Sequence, residues 1–304
     1  MELRVLRYFL AGAQEESISD AAKRLHITQP TLSRQLMELE DELGMKLFHR
    51  GGRNQKIALT EPGRFLRQRA QEIIVLADKT EAAFSAGKKA GLAGVYIAAV
   101  AGETDAVRLL ARSARVLQEK YPQIRYQTFS GDAEAVEEHL EKGVADFGLL
   151  LGSVDPVQYD FLTLPIRNTW GVLIPRDTPL AQRESIRAED LWDKPLIVSQ
   201  QKTSGKQLSR WLKKDPAEFN VAATYNLPYN AYLMAAEGLG CALVLDNLIN
   251  VSGSGEVCFR PLEPRLEVEV HLVWKKYRQF SRAAELFLSQ LRKMVDQAHG
   301  RIPA

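Results

Sequence analysis

The sequence predicts an α+β protein with three successive parts: a small helical domain with a β-hairpin, a long connecting helix, and a larger α/β domain. Three observations predict this fold. Two short helical patterns flank a tight turn within residues 17–44, an apolar repeat averaging about 3.5 residues runs through residues 66–84, and strand and helix patterns alternate from residue 94. A chain of 304 residues is also long for a single hydrophobic core, which favours several domains.

The composition is that of an ordinary globular protein, with 45% hydrophobic and 26% charged residues. No apolar run reaches the length of a membrane span. The apolar residues Leu3, Leu6, Phe9 and Leu10 recur at helical spacing, which indicates a folded helix and not a signal peptide. We therefore expect a cytoplasmic protein without a membrane partner.

The residue pattern gives no sign of a metal, a cofactor or a catalytic centre. Cys241 and Cys258 belong to no CxxC pair, and the five histidines lack metal-ligand spacing. We expect two buried thiols, with a redox disulfide between them as the alternative. No acid, base or nucleophile stands out in a recognisable motif, so the prediction is that the protein is not an enzyme.

The first helix of the N-terminal pair follows a serine that can cap it. Ser17 and Ser19 are both candidates, and the helix buries Ala21, Ala22 and Leu25. Alanine is small, so a second helix can cross closely. The stretch "HIT" is then a tight connection to that second helix.

The second helix is predicted to start at the N-cap Thr28, with Pro30 in its first turn and Gly44 just beyond its end. Its predicted buried stripe is Leu32, Leu36, Leu39 and Leu43. Its polar residues outside the stripe are Gln29, Thr31, Ser33, Arg34 and Gln35. Two helices joined in this way form a helix-turn-helix, whose second helix presents its first turns to base edges in the major groove. Glutamine can pair with adenine and arginine with guanine, while serine and threonine bind bases or phosphates.

A basic β-hairpin, or wing, is predicted after this helix. Residues 46–48 and 56–59 form its strands, and "RGGRN" between them carries Arg50 and Arg53 towards phosphates or a minor groove. Residues 46–69 hold seven basic residues against one acidic residue, which is typical of a surface that binds a polyanion. Charge alone also fits a solvated basic face, and helix pairs are common, so the prediction depends on the combination of these features.

A long helix is predicted to follow, starting near Thr60 and Pro62. Its apolar repeat is Leu66, Ala70, Ile73, Ala77, Thr80 and Phe84. We expect this seam to pair with a second copy of the helix in a homodimer, since a winged helix gains affinity by binding paired half-sites. Packing of the seam against its own chain is the alternative. Gly87, Gly91 and Gly94 then indicate a hinge.

From residue 94 the alternation of strands and helices predicts a parallel sheet with helices on its faces. It begins with the strand "VYIAAV" and a helix that ends before Pro122, and it closes with the long strand "LEVEVHLVWKK" and an amphipathic helix from residue 281. Ligands of such sheets bind beyond the carboxyl ends of the strands.

The first 60 or so residues resemble the winged helix-turn-helix of LysR-type transcriptional regulators. The residues that carry the resemblance are Ala21, Ala22, Leu25, Gln29, Pro30, Ser33, Leu36, Leu39, Glu40, Leu43, Gly44, Leu47, Phe48, Arg50, Leu59, Thr60 and Gly63. The resemblance implies that Gln29, Pro30, Thr31, Ser33 and Arg34 face the major groove, that Arg53 acts in the wing, and that the linker helix dimerises.

The second half is similar to the effector-binding domain of the same family, which is itself similar to periplasmic binding proteins. The matching stretches are "LEKGVADFGLL" at 140–150 and "MAAEGLGCALV" at 234–244. The resemblance implies two α/β lobes joined by two chain crossings. The expected limits are a DNA-binding domain at 1–60, a linker helix at 61–90 and an effector domain at 91–304, with lobe I at about 92–162 and 267–304 and lobe II at about 163–266.

Polar residues at the expected strand ends are candidates for binding a small-molecule effector. They are Gly102, Glu103, Thr104, Ser130, Ser199, Gln200, Lys202, Thr203, Ser204, Asn226 and Tyr229. Simple helix capping is the alternative for each serine and threonine. Relatives often have a small hydroxyl residue where Glu103 stands, and its carboxylate disfavours an anionic effector or selects an amine.

The sequence thus predicts a regulator that binds specific double-stranded DNA and is controlled by a small-molecule effector of unknown identity. We expect a homodimer through the linker helix and a tetramer through the effector domains. A stand-alone small-molecule binding protein is the alternative, but it would carry a signal peptide and no basic hairpin. A nucleoid-type DNA binder would need no two-lobed second half.

Overall fold

The structure, a computed structural model, describes residues 1–49, 57–85, 95–101, 104–249, 251 and 255–299. The chain separates into two compact units, Met1–Gly91 and Leu92–Ala304. The helices are α1 Leu3–Glu15, α2 Ile18–Arg24, α3 Gln29–Leu43, α4 Glu61–Ser85, α5 Val107–Lys120, α6 Ala133–Glu141, α7 Lys202–Leu212, α8 Pro228–Ala236 and α9 Arg282–His299.

The strands of the first unit are β1 Phe48–His49 and β2 Ala58–Leu59. Those of the second unit are β3 Val95–Ala101, β4 Arg125–Gly131, β5 Phe147–Leu151, β6 Tyr159–Pro175, β7 Ile186–Arg187, β8 Leu196–Ser199, β9 Val221–Tyr225, β10 Cys241–Leu245, β11 Val257–Glu263 and β12 Glu267–Lys275. Turns of 3₁₀ helix cover Pro179–Gln182, Ala188–Leu191 and Pro216–Glu218.

The caps of α2 and α3 confirm the sequence-based assignment of both helix starts. Ser17 is the N-cap of α2, and its hydroxyl accepts from the backbone N–H of Asp20 at 3.2 Å. Thr28 caps α3 by accepting from the N–H of Thr31 at 3.4 Å, and Pro30 lies in the first turn. Gly44 ends the helix with φ +66°, in the left-handed region that glycine adopts without strain.

The core of the first unit brings the predicted apolar faces together. Leu32, Leu36 and Leu39 of α3 are at most 1% exposed and pack with the buried alanines of α2. Leu25 is only half-buried at the end of α2. The prediction that Leu43 is buried is wrong, because its side chain is 41% exposed. It lies in the last turn of α3, directly before Gly44, where the helix has run past its packing partners.

The wing strands are shorter than predicted. In β1 and β2, Phe48 pairs with Leu59 and His49 with Ala58. The backbone of the preceding residues, Lys46 and Leu47, instead bonds to side chains and loop backbone, so they do not extend the ladder. The predicted turn, with Arg50 and Arg53, lies outside the described residues.

The predicted seam of helix α4 has a buried first part and a more exposed second part. Leu66 and Ala70 are buried in the core of the first unit, so this part of the seam packs against its own chain. Further along, Ile73 is 36% exposed, Ala77 is half-buried and Thr80 is exposed. The side chain of Phe84 lies outside the described residues.

The second unit is built on one continuous path of paired strands in the order β4-β3-β5-β12-β6-β10-β8-β9; off this path, β11 pairs with β6, and β7 pairs with β11. The 17-residue strand β6 joins its two halves. Its part from Tyr159 to Thr169 pairs with β12, and its part from Trp170 to Pro175 pairs with β10 and β11. The second chain crossing is the short connection from β11 to β12.

The expectation of a parallel sheet is correct for only part of this unit. Strands β3, β4 and β5 are parallel, as are β8, β9 and β10. Strands β6 and β12 are antiparallel to their neighbours, and β11 is antiparallel to β6. The reason is that the chain crosses between the two halves twice, and the crossing strands run against the parallel sets.

Two separate cores confirm a two-lobed second unit. Lobe I, the half around β3–β5 and β12, buries Phe147, Leu272 and Phe287 between the sheet, α5 and α9. Lobe II, the half around β8–β11, has a core on each face of its sheet. The exact domain limits expected from the sequence stay a prediction.

Candidate functional sites

The first turns of α3 present a polar surface. The residues predicted to contact bases or phosphates all lie here: Thr28, Gln29, Pro30, Thr31 and Arg34 are exposed, and Ser33 and Gln35 are half-buried. The leucines on the opposite side of the helix are in the core. The structure therefore leaves these seven residues accessible around the N-cap and first two turns of α3.

Two of these side chains share a carboxylate one turn further along. The Nε of Arg34 lies 3.3 Å from Oε1 of Glu38, and the side-chain amide of Gln35 donates to Oε2 of Glu38 at 2.6 Å. The Arg34 side chain is 73% exposed, so this ion pair is weak and can exchange for another anion. Glu38 was not singled out from the sequence, although its i+4 spacing from Arg34 was a usable signal.

The base of the wing is held by a buried carboxylate. Glu40 of α3 has a side chain that is 0% exposed, and its Oε1 accepts from the N–H groups of Leu47 at 2.9 Å and Phe48 at 3.2 Å. Its Oε2 lies 3.2 Å from the ammonium of Lys46. A charged acceptor facing two backbone donors and a cation forms strong hydrogen bonds, so the wing is fixed to α3.

Thr60 closes the other side of the wing. Its hydroxyl donates to the carbonyl of Lys46 at 2.6 Å and accepts from the N–H of Gly63 at 3.0 Å. A Cβ on Gly63 would lie 2.1 Å from the carbonyl oxygen of Leu47, so only glycine fits at this crossing of α4 and the wing.

The predicted effector residues of lobe I follow β3 and β4, whose ends are adjacent in register at Ala101 and Gly131. Ser130 is exposed at the end of β4. Thr104 is only 5% exposed. Gly102 and Glu103 lie outside the described residues, so their predicted contacts stay a prediction.

The predicted effector residues of lobe II follow β8 and β9, which pair at Ser199 and Tyr225. Gln200 and Asn226 are exposed beyond these ends, and Gln200 donates to the hydroxyl of Thr224 at 3.1 Å. Lys202, Thr203 and Ser204 form the first turn of α7, and their side chains lie outside the described residues. Tyr229 of α8 is 58% exposed and stacks on Tyr232, with 6.0 Å between ring centroids.

The two lobes approach each other at a glycine that was not predicted. Gly152 follows β5 with φ +84°, and a Cβ built on it would lie 3.5 Å from the amide nitrogen of Gln207 on α7. Gly152 could have been found from the sequence, because it directly follows β5 and ligands bind beyond the carboxyl ends of such strands. Gln207 lies inside a predicted helix, and nothing in its local sequence distinguished it.

A buried polar network joins the lobes. Asn168 in β6 is 0% exposed; its carbonyl oxygen accepts from the hydroxyl of Thr104 at 2.7 Å, and its amide donates to Asp246 at 3.2 Å. The same Asp246 oxygen accepts from the N–H of Thr169 at 2.9 Å. The predicted ligand residue Thr104 therefore already uses its hydroxyl proton inside the protein.

The cysteines are buried and unpaired with each other. Strand β6 lies between β11, which carries Cys258, and β10, which carries Cys241. Cys258 pairs with Ile174 of β6, and the register of β10 places Cys241 on the opposite side of the same residue. Two strand spacings, roughly 9.6 Å, exceed the reach of a disulfide. Burial raises the pKa of the Cys241 thiol to about 11, which makes it unreactive.

Neither a metal site nor a membrane span is found in the described part of the chain. No three His, Cys, Asp or Glu side chains there converge in a way that could hold a metal ion. None of the helices, taken over the same residues, is both long and apolar enough to cross a bilayer.

Comparison with known proteins matches both units. Residues 3–64 match the bacterial regulatory helix-turn-helix protein of the lysR family, and residues 98–296 match the LysR substrate binding domain. The chain is 25% identical over 297 residues to the HTH-type transcriptional regulator YvbU of Bacillus subtilis, covering 97% of this chain and 99% of that protein. It is 28% identical over 280 residues to the Hca operon transcriptional activator HcaR of Escherichia coli, covering 91% and 92%.

The fold is also that of solved regulators. The crystal structure of full-length CbnR complexed with its target DNA superposes with a TM-score of 0.70 at 20% identity, covering 96% of this chain and 99% of that one. A helix-turn-helix unit followed by a two-lobed α/β unit defines a transcriptional regulator with its own ligand-binding domain. The chain belongs to the LysR family of transcriptional regulators. These matches support the regulator prediction and not the stand-alone binding protein.

Proposed function

We propose that α3 is the recognition helix and reads base edges in the major groove with Gln29, Arg34 and Gln35. The observation that carries this proposal is the exposure of the first turns of α3, while Leu32, Leu36 and Leu39 of the same helix are buried. A free duplex offers guanine O6 and N7 to an arginine fork, and adenine N6 and N7 to a glutamine amide. Thr28, Thr31 and Ser33 then bind bases or phosphates.

The wing supplies the sequence-independent contacts in this proposal. Arg50 and Arg53 approach phosphates or the minor groove, and the bonds of Glu40 and Thr60 hold the base of the wing against α3 and α4. Phosphate contacts position a protein on DNA and make its affinity depend on salt.

Helix α4 is proposed to form the dimer interface. Beyond its buried first turns it exposes Ile73 and Leu76, which are 36% and 49% exposed, and Phe65 is 64% exposed. Large apolar side chains on one long helix favour pairing with a second copy. Two paired winged helices then bind the half-sites of a pseudo-palindrome, and two dimers join into a tetramer through their second units.

The effector is proposed to bind between the two lobes and to change their angle. The lobes lie close to each other where Gly152, directly after β5, meets Gln207 of α7, and the buried Asn168 joins the lobes at the crossing strand. Lobe closure shifts the tetramer's shape and so the spacing and bend of the bound DNA. The protein acts in the cytoplasm and, in this proposal, catalyses no reaction.

The test is a salt titration of the full-length protein on its own upstream intergenic DNA, with a random duplex of equal length as control. Arg34→Ala is compared with Arg34→Lys, because lysine keeps the charge but cannot form a bidentate contact with guanine. Both variants should lose about 1–3 kcal/mol of discrimination between the two duplexes, and both should largely keep the salt dependence, because that dependence comes from phosphate contacts. Unchanged site preference in both variants would show that Arg34 does not read bases.

A further inference from the structure

A cavity of about 730 Å³ lies where the first turn of α5 meets the segment after β10. Asp105 and Arg108 line it from lobe I. Its lobe II lining includes Leu173, Val244, Asp246, Ile249, Val251 and Phe259. The volume is within the range of small-molecule sites, and none of the effector residues predicted from strand ends is part of this lining.

The lobe I side of the cavity carries one negative and one positive group that lack partners among the described residues. Asp105 has a buried carboxylate oxygen, Oδ1, that none of those residues hydrogen-bonds. Asp105 precedes α5, whereas Arg108 lies in its first turn, is exposed and forms no ion pair with any described residue. A buried carboxylate oxygen without a donor is costly, and a ligand ammonium group would remove that cost. The guanidinium of Arg108 fits a carboxylate, which it can bind through two parallel hydrogen bonds.

The lobe II side of the cavity is mostly apolar. Leu173 and Val244 are at most 2% exposed, and Ile249, Val251 and Phe259 are half-buried around them. An apolar wall opposite a carboxylate and a guanidinium is complementary to a molecule that carries an ammonium and a carboxylate at one end and an apolar body at the other. Such a molecule would span the two lobes.

The cavity is connected to the bond network at the lobe crossing. Asp246 lines the cavity and accepts from the amide of Asn168, which in turn accepts from Thr104, the residue directly before Asp105. A ligand that contacts Asp105 and the lobe II wall therefore acts on both ends of this network. Its binding energy would depend on the angle between the lobes.

We propose that this cavity binds a small zwitterion with an apolar body, of the α-amino acid type, with its ammonium on Asp105 and its carboxylate on Arg108. The ligand bridges the lobes and so sets the affinity of the protein for DNA. The regulatory part of this inference rests on the proposed function, whereas the binding part does not.

The experiment is calorimetric titration of the full-length protein with L-phenylalanine and L-leucine. Phenethylamine lacks the carboxylate of phenylalanine and hydrocinnamate lacks its ammonium, so the two serve as matched probes. Asp105→Asn and Arg108→Gln remove one charge each while they keep the side-chain shape or length. Arg112→Gln, an exposed arginine one turn further along α5 that does not line the cavity, is the control.

At least one of the two amino acids should bind, and each single-charge probe should bind about tenfold or more weakly than phenylalanine if phenylalanine is the ligand. Asp105→Asn and Arg108→Gln should each weaken amino-acid binding by about tenfold or more, and Arg112→Gln should not change it. The inference is wrong if neither amino acid binds to protein that is folded, or if binding is the same in Asp105→Asn and the unsubstituted chain. DNA titration of the same preparation separates the two failures: specific DNA binding without amino-acid binding refutes this inference and leaves the proposed function intact.

Discussion

Removing the Glu40 carboxylate should destabilise the first unit by a large part of its total stability. In Glu40→Ala, the N–H groups of Leu47 and Phe48 lose their acceptor in a position where the carboxylate is fully buried. A buried donor left without a partner costs roughly 1–3 kcal/mol, so two donors cost roughly 2–6 kcal/mol. A domain is typically stable by about 5–15 kcal/mol.

Two further substitutions make the argument specific. Glu40→Gln keeps one acceptor oxygen but loses the charge, so it should cost about 1–2 kcal/mol. Glu42→Ala, on the same helix but with a 54% exposed carboxylate, should cost less than about 1 kcal/mol.

The assay is urea unfolding of the full-length protein followed by two signals. All four tryptophans, Trp170, Trp192, Trp211 and Trp274, lie in the second unit, so their fluorescence reports only that unit. Far-ultraviolet circular dichroism also detects the helices of the first unit. Glu40→Ala should lower the circular dichroism transition of the first unit and leave the fluorescence transition in place. Equal midpoints for Glu40→Ala and Glu42→Ala would refute the proposed role of the buried carboxylate.

Two more predictions concern a glycine in the first unit and a histidine in the second. Gly63→Ala should destabilise the first unit by about 1–3 kcal/mol or more, because its Cβ would lie 2.1 Å from the carbonyl oxygen of Leu47. Gly12→Ala is the control, because its Cβ would meet only side chains, at 3.4 Å or more. It should change the free energy of unfolding by less than about 1 kcal/mol in the same circular dichroism assay. A similar loss of stability in Gly63→Ala and Gly12→Ala would contradict the steric argument. Burial lowers the pKa of His271 below its ordinary value of 6.5, so the unfolded state binds the proton more tightly, and stability should fall as the pH drops through 6.5 towards the lowered pKa. Unfolding followed by tryptophan fluorescence between about pH 8 and about pH 5 should show this loss of stability. The loss should be smaller in His271→Gln than in the unsubstituted protein, and unchanged in His26→Gln, whose histidine is exposed in the first unit. An identical pH dependence in the unsubstituted protein and both variants would count against the role of the buried imidazole.

The local sequence was sufficient to predict the recognition helix. Ser17, Thr28, Pro30 and Gly44 act on backbone groups within three or four residues, and the structure places all four as expected. The leucine stripe was predictable for the same reason, since helical periodicity decides which side chains share a face. The prediction of burial was wrong for Leu43, because helical periodicity does not show where the neighbouring helices end.

The lobe crossing could not be predicted in the same way. The part of β6 before Trp170 has no clear alternation, and β11 was not recognised as a strand. Both are strands because they pair with segments far along the chain, such as β12 with β6. Long-range pairing depends on tertiary contacts that no window of sequence contains.

The sequence by itself determined the order of the parts and the family, because capping, periodicity and strand–helix alternation are local properties. Only the tertiary structure decided which polar groups are buried and what they bind. The local sequence around Glu40 does not show what its carboxylate binds, and Asn168 and Asp246 are 78 residues apart in the chain, yet all three lie in hydrogen-bond networks that hold the wing or join the lobes. The free energy of a buried polar group depends on the partners that the whole fold brings to it, so its role cannot be assigned from its neighbours in sequence.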